Sequence, residues 1–480
     1  MEINEIIQQR RDKLESLKAK GINGYASAPI ERVDISSVLK DFQEGAKVTL
    51  SGRIMAKRAH GKVTFMDLRD TTAKIQLYLK TDYLSQECAS ILEDIDIADI
   101  ISVKGDLFKT HTGEPTLKVE VLKVLAKALR PLPEKWHGLK DVELRYRQRY
   151  LDLISNEEVK KVFLLRSRII KTIRDSLDEK GFLEVETPMM HSIPGGAAGR
   201  PFKTYHNEYE FELFLRIAPE LYLKRLLVGG LDKVYEINRS FRNEGVSTKH
   251  NPEFTMLEVY SAYQNYEDMM RLAEELVVRV AREASSDTKL IYQGRTIDLS
   301  TPWQRISFAD IVKEKFDISP VDEVEAMLSK LHKKGFAKDA EKLTRTQIGK
   351  VIEDILELEM NVNPTFVTDF FTSMSPLAQV KKDNPLISER FELYIAGLEV
   401  GNAYSELNNP IEQKARFGEE IKELNTSEER KVDEDYCLAL EHGMPPAGGL
   451  GIGIDRLIML LADQASIRDV ILFPLLRQRE

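Results

Sequence analysis

The 480-residue chain carries 69 lysine and arginine residues against 78 acids, a net charge of −9, and is 42% hydrophobic and 31% charged. At about 150 residues per domain the length predicts two to four domains, and the acidic balance excludes a uniformly basic coat while leaving room for a local phosphate-binding patch. No apolar run reaches the ~18 residues of a membrane span, the N-terminus MEINEIIQQRRDKLESLKAKG lacks a signal peptide's apolar centre, and Cys88 and Cys437 match no metal spacing, so a cytoplasmic protein with no membrane partner and no zinc is expected.

In chain order, the spacing of Ile3, Ile6, Ile7, Leu14 and Leu17 predicts an amphipathic helix over residues 3–20, with Arg10, Arg11, Lys18 and Lys20 away from that face and a stop at Gly21. Five runs of strand character follow, at about 47–57, 62–69, 73–80, 100–108 and 115–126, with the helical LSQECASILED between the third and fourth. Three strands, a helix and two strands suggest an OB-fold barrel. From Lys47 to Lys62 there are five cations and no acid, which suits either a solvated strand face or a phosphate-holding patch. Alternation turns Ile75, Leu77 and Leu79 inward and Gln76 and Tyr78 outward, and puts Phe65 on the side of Asp67 rather than of Met66 and Leu68. An outward ring beside an outward amide is either a stray surface aromatic or a platform on which an unpaired base stacks and is read.

A Pro- and Arg-rich seam, ALRPLPEKWHGLKDVELRYRQRYLDLI, separates this module from the rest. Val159, Val162, Ile169, Ile173 and Leu177 predict a helix over 156–180 ending at Gly181, followed by a strand, FLEVETP. Strand and hairpin signals dominate 182–262, helices 305–360, and strands return over 365–408. The pattern is α+β with antiparallel pairing.

Three stretches carry candidate chemistry. In FRNEGVSTKHNPEFTMLEVYSAY, Phe254, Met256, Glu258 and Tyr260 share one face of a predicted strand, and Arg242 and Glu244 share a face of the run before it. That is either an ion-paired hairpin or a cleft for an aromatic, phosphorylated ligand. In RFELYIAGLEVGNAYSELN, a tight turn at Ala396-Gly397 would set Glu392 and Glu399 on one face, about 5–8 Å apart, a spacing suited to bridging a hard cation such as Mg²⁺. Asn402, Tyr404 and Glu406 alternate with small residues, but strict alternation puts Glu399 and Glu406 on opposite sides, so one shared pocket requires a bulge near Gly401. Finally, GGLGIGIDRLIML is neither a P-loop nor a dinucleotide fingerprint, since no Gly-Lys-Ser/Thr follows and Ile454 stands where the third glycine belongs. A Gly-rich strand packed tightly against its neighbours is the alternative.

GFLEVETPMM, FRNE with HNPEF, and GLGIGIDR resemble motifs 1, 2 and 3 of the class II aminoacyl-tRNA synthetases, and no HIGH- or KMSKS-like string of class I occurs. With the barrel, the SELN string and IPGGAAGRPF, the chain is similar nearly end to end to the bacterial-type lysine-specific branch of that family. The resemblance implies a helical extension at 1–45, an anticodon-binding OB-fold at 46–128, a linker at 129–152, and a class II catalytic domain at 153–480 with a helical insertion at about 305–360. It implies ATP-dependent joining of L-lysine to tRNA(Lys) through a lysyl-adenylate, by a homodimer formed through motif 1.

The site roles it implies are these. Arg242 and Arg456 are catalytic; Arg242 bridges the ATP α-phosphate and the amino-acid carboxylate, and Arg456 closes over adenine opposite Phe254. Glu244, His250 and Asn251 contact the adenine, and Glu392 and Glu399 hold Mg²⁺. Lysine is taken by Gly196, Glu220, Arg242, Glu258, Tyr260, Asn402, Tyr404 and Glu406, and the anticodon by Phe65, Gln76 and Glu114. The residues give lysine independent support: a buried ammonium needs carboxylates and hydroxyls, whereas a pocket for aspartate needs a cation. An aspartyl- or asparaginyl-specific enzyme, a non-catalytic RNA-binding relative and a protein-modifying ligase are the alternatives.

Overall fold

A computed structural model describes residues 3–133, 139–197, 199–337, 342–359, 361–424 and 431–477. Part of the expected linker (134–138), part of the expected insertion (338–341 and 360) and Ala198 of IPGGAAGRPF lie outside the described residues. The chain divides into two compact units, Met1–Asp141 and Val142–Glu480.

In the first unit, strands β1 (Lys47–His60), β2 (Val63–Arg69), β3 (Lys74–Lys80), β4 (Ile100–Lys109) and β5 (Pro115–Ala126) close into a barrel in the order β1-β2-β3-β5-β4. As alternation requires, Met66, Leu68, Ile75, Leu77 and Leu79 are buried in its core. The first helix, α1 (Ile3–Ala19), departs from its expected faces: Arg10 is buried with Leu14 and Leu17, because its Nη1 donates to the Ala128 and Arg130 carbonyls at 3.0 and 2.9 Å. A long guanidinium side chain buries its stem and still finds acceptors. The cationic strip is also changed by folding. Lys47 pairs with Glu120, Arg58 with Asp67 and Lys62 with Asp82, while Arg53 donates to Ala98 O and Lys57 to Leu92 O and Ile95 O. A run without acids of its own thus finds three acids and three carbonyl acceptors elsewhere in the barrel unit.

The second unit opens with helices Val142–Arg147 and Arg149–Ser155, so the stretch expected to act as linker is helical from residue 142. Buried Arg149 there ion-pairs with Asp152 and donates to the carbonyls of Arg468, Ile471 and Leu472. Helix α2 (Glu157–Glu179) follows, but of the expected strand FLEVETP only Leu183–Glu184 (β6) pairs. An eight-stranded sheet is built from β6, β7 (Lys233–Phe241), β8 (Glu253–Ala262), β9 (Gln304–Ser307), β10 (Thr365–Thr368), β11 (Arg390–Ile395), β12 (Leu398–Ser405) and β13 (Ala447–Gly453). Their spatial order is β9-β10-β11-β12-β13-β8-β7-β6, parallel only at its two edge pairs, giving the expected α+β class.

The two faces of this sheet do different things. Leu257 and Val259 of β8, Leu450 and Ile452 of β13, and Ala403 of β12 pack into a core with α2 and the helices Tyr266–Ser285 and Ile454–Leu461. The residues between them point the other way, toward a cavity. The helical insertion, including α3 (Phe308–Phe316), α4 (Val324–Lys333) and α5 (Arg345–Glu359), has its own apolar core.

Candidate active site

A cavity of about 1360 Å³ opens on the polar face of the sheet, and every residue expected at the catalytic centre lines it, from Gly196 and Glu220 to Arg456. Local geometry explains how such scattered residues converge. Ala396 and Gly397 take φ of 52° and 76°, the two positive values of a type I′ hairpin turn, so Tyr394 faces Glu399. The register then shifts between Leu393 and Tyr394, leaving Val400 as an extra residue before Leu393 pairs with Gly401. This bulge puts Glu399 on the same side as Asn402, Tyr404 and Glu406, which strict alternation forbids.

The glycine strand has a steric reason. β13 runs between β8 and β12, with Gly449 opposite Tyr260 and Tyr404, and Gly451 opposite Glu258 and Asn402. A Cβ on Gly449 would lie 1.9 Å from Glu406 Oε1 and 2.6 Å from Tyr260 Cε1, and one on Gly451 would lie 3.6 Å from Glu258 Oε1. The bare backbone therefore makes room for the acidic pocket, and only its end, at Gly453, adjoins Arg456.

Arg242 and Glu244 depart from expectation: β7 ends at Phe241, so both stand in the following loop rather than on a strand face. That loop is held by Lys249, which pairs with Glu357 of α5 and donates to Gly397 O at 3.1 Å. The guanidinium over the Phe254 ring belongs to Arg242, 5.2 Å from the centroid, and its Nε is buried without a hydrogen-bond partner. Arg456 donates to Glu399 O (2.6 Å) and Oε2 (3.0 Å), with Nη2 3.1 Å from His250 Nε2. Burial and then Arg456 push the His250 imidazole below its usual range, so a neutral ring can accept from Arg456 there. Asn251 donates to Glu253 O and leaves Oδ1 buried without a partner.

Two carboxylates adjoin this cationic end. Glu392 is paired to Arg390 at 2.6 Å and accepts from Tyr394 OH at 2.6 Å; burial and then Glu353 push it well above the glutamate range. Glu399 is pushed up by burial, but Arg456 and Arg242 outweigh that and hold it below its ordinary value. Glu353, from α5, was not expected here; burial and neighbouring Glu399 raise it, against Arg390.

At the other end, Glu258 accepts from Tyr260 OH at 3.0 Å, and burial followed by Glu220 pushes it up to about 8. Tyr404 OH donates to Glu220, and Gly196 (φ +85°) lies against it, an added Cβ falling 3.4 Å from Glu220 Cβ. Asn402 Oδ1 accepts from Arg390 Nε at 3.2 Å. Sequence reasoning missed Lys224. It is fully buried on the helix Glu220–Val228 and pairs with both Glu220 and Glu406. The spacing Glu220 to Lys224, acid then base four residues on, was the available signal.

On the barrel, Phe65 and Tyr78 are cross-strand partners with ring centroids 5.4 Å apart, and Tyr78 in turn meets Phe108 at 5.8 Å. Gln76 donates to Glu114 Oε2 and accepts from Thr116 Oγ1, both at 3.2 Å. The outward ring is therefore one of a ladder of three, and Gln76 and Glu114 meet directly.

Residues 141–477 match the family described as tRNA synthetases class II (D, K and N), and residues 48–125 match an OB-fold nucleic acid binding domain named for the tRNA anti-codon. A lysine–tRNA ligase of Pelotomaculum thermopropionicum is 52% identical over 488 residues, covering 100% of this chain and 96% of the relative. Another, of Carboxydothermus hydrogenoformans, is 52% identical over 485 residues, covering 100% and 99%; a third, of Clostridium tetani, is 47% identical over 486 residues, covering 99% and 97%. With a glycine strand framed by acids and a closed five-stranded barrel, the chain belongs to the class II tRNA synthetases and, within them, to the lysine–tRNA ligase family.

Proposed function

We propose that this chain joins L-lysine to tRNA(Lys) at the expense of ATP, through an enzyme-bound lysyl-adenylate. The observation that carries the choice of amino acid is the acidic end of the cavity, where Glu220, Glu258 and Glu406 are all buried. A buried basic residue is present, but Lys224 is already paired with two of them and does not line the cavity, so it offers no counter-charge to an aspartate side chain.

Gly196, Glu220, Glu258, Tyr260, Asn402, Tyr404 and Glu406 receive the two ammonium groups of lysine, and Arg242 receives its carboxylate. Adenine stacks on Phe254, with Arg456 closing over it and Glu244, His250 and Asn251 at its edge. The lysine carboxylate attacks the α-phosphorus in line, a P–O bond forms, and pyrophosphate leaves with the bridging oxygen's electrons. Arg242 offsets the charge on the α-phosphoryl oxygens, and its buried, unpartnered Nε is a donor available to them. The 3′-terminal adenosine of tRNA then attacks the adenylate carbonyl through a ribose hydroxyl, and AMP leaves.

Mg²⁺ fits Glu392 and Glu399: both are oxygen donors lining the cavity, and Glu392 is raised partly by like charge, which a divalent cation relieves. Among the described residues no group of three or more His, Cys, Asp or Glu is placed to hold a metal alone, as befits an ion completed by nucleotide phosphates. It would supply charge neutralisation for the leaving pyrophosphate.

Phe65, Gln76 and Glu114 bind the anticodon, the rings stacking on unpaired bases and the amide reading an edge. The barrel thus reads RNA while the larger unit carries the chemistry, in a cytoplasmic homodimer. Exposed Leu183, Met189 and Met190, within the motif 1 stretch, supply apolar surface for the twofold contact; sedimentation equilibrium tests the dimer. Among the described residues no helix is long and apolar enough to cross a membrane. ATP–pyrophosphate exchange with each of the twenty amino acids tests the activity: exchange driven by lysine alone is expected, and exchange driven by aspartate or asparagine would overturn it.

A further inference from the structure

Glu406 is a buried carboxylate whose Oε1, shut away from solvent, accepts no hydrogen bond. Its counter-ion is Lys224, which reaches Oε2 from behind the cavity wall, while Oε1 lies over the bare backbone of Gly449. The same Lys224 Nζ donates to Glu220 Oε1 at 2.6 Å, an oxygen that also accepts from Tyr404 OH, and it sits 5.2 Å from the centre of the Tyr404 ring. Tyr436, from the helix Glu434–Glu441, is buried near Lys224, its hydroxyl without a hydrogen-bond partner. One fully buried ammonium therefore braces two pocket carboxylates from outside the space a ligand would fill.

The charge count gives this brace a consequence. Three carboxyl groups, Glu220, Glu258 and Glu406, share the acidic end with one resident ammonium, Lys224. An α-amino acid with a second ammonium on its side chain brings two more cations to that end, its own carboxylate being left to Arg242, so that Glu258 can ionise and each of the three carboxyl groups then has a cation to answer it. A neutral side chain leaves a buried carboxylate uncompensated, and that is costly. Burial pushes Glu406 well above the glutamate range and Lys224 opposes that; without the brace its protonated form is favoured further, and a protonated carboxyl no longer demands a cation.

We propose that Lys224 is a specificity-determining positioning residue, which pairs with Glu220 and Glu406 and fixes both in place so that the pocket accepts only a diamino acid with its terminal ammonium at the depth of Glu406. The assignment rests on the functional reading above, and acts through those two carboxylates rather than by contact with substrate.

Pyrophosphate exchange on the full-length chain tests it. Lys224→Met is expected to raise KM for lysine at least tenfold while KM for ATP stays within twofold. The lost lysine saturation should return in part as pH rises and the unbraced Glu406 carboxyl ionises, and this recovery should continue above pH 8, where the parent protein's own dependence through Glu258 has levelled off. Equal changes in both KM values, or none, would overturn the assignment. If Lys224→Met yields no cooperatively melting protein, Lys224→Arg decides. It keeps the charge, but its broader planar head pushes Glu406 toward the cavity, so the preference for lysine over ornithine, one methylene shorter, should fall at least fivefold. An unchanged lysine-to-ornithine ratio would overturn the proposal. Absence of lysine-dependent exchange in the parent protein would instead remove the functional reading, and this assignment with it.

Discussion

On the barrel, each cation of the 47–62 strip is answered by a surface acid or a backbone oxygen, whereas in the cavity three buried carboxyl groups share one buried ammonium. In the first arrangement every cation has a partner before any ligand arrives, three of them an acid, and beside it stands the ring ladder of Phe65, Tyr78 and Phe108 with the Gln76–Glu114 edge. The second is left short of positive charge. Exposed pairs are solvated and screened, so their balance selects little; buried charges are not, so their imbalance selects strongly. The contrast is in keeping with the proposed reading of base faces and edges by one unit and of ammonium groups by the other, and each can be broken separately.

The largest effect is expected from Arg242→Ala. Among the described residues Arg242 alone places its guanidinium over Phe254, and its buried, unpartnered Nε is the donor proposed to meet the α-phosphate. Adenylate formation should fall about 100- to 1000-fold in single-turnover assays. Next comes Gly449→Ala, since a single methyl cannot share space with Glu406 Oε1 at 1.9 Å and the Tyr260 ring at 2.6 Å. KM for lysine should rise about tenfold or more, because a pocket group displaced by an ångström loses its ligand geometry. Gly453→Ala, where the nearest atom is 3.7 Å away, should be far milder, and equal effects at the two glycines would contradict the pocket-clearance account.

How much of this was legible depends on the range of the signal. Strand alternation in Phe254, Met256, Glu258 and Tyr260 is a local property of the backbone, and so is the turn at Ala396-Gly397; both emerged where the residues placed them. The bulge was legible only as a requirement, deduced from two acids that needed one pocket; the sequence did not single out Val400 as its extra residue. What stayed hidden was long-range pairing. Nothing local says that Lys62 will meet Asp82, that Arg10 will find two carbonyls beyond residue 127, or that Lys224 will sit behind Glu406, because each depends on tertiary approach. The end of β7 at Phe241 was missed for the same reason: Arg242 N bonds Pro252 O within the loop, a contact that strand periodicity does not encode.

A smaller, pH-dependent effect separates the two units again. Glu258, raised to about 8 chiefly by burial and then by Glu220, with Tyr260, Arg242 and Arg216 opposing, retains its proton in the free protein where an unfolded glutamate has lost it. The native state therefore binds more protons between about pH 4.5 and 8, so this group's contribution to stability declines as pH rises through that window. An incoming ammonium favours the ionised form, so KM for lysine should fall with rising pH, by up to about tenfold per unit below pH 8, and saturating lysine should flatten the decline in Tm. Glu258→Gln should abolish both trends. The anticodon surface should show neither: Phe65→Ala is expected to weaken tRNA binding by about tenfold through one lost stacking contact while pyrophosphate exchange stays near normal.

The smallest expected change tests whether the barrel's cations are as neutralised as their partners imply. Lys62 is largely exposed and pairs with Asp82 at 3.3 Å, an ion pair between two solvated side chains. Such a pair contributes about 0–1 kcal/mol, so Lys62→Ala should move Tm by no more than a few degrees. If Lys62 made a phosphate contact instead, its removal would lower the slope of log Kd for tRNA against log salt by about 1. With the charge already committed to Asp82, the slope should stay the same and Kd should change less than about threefold. A slope reduced by a full unit would mean that RNA displaces Asp82, and the barrel would then recognise its ligand partly by the same unbalanced charge that the cavity uses.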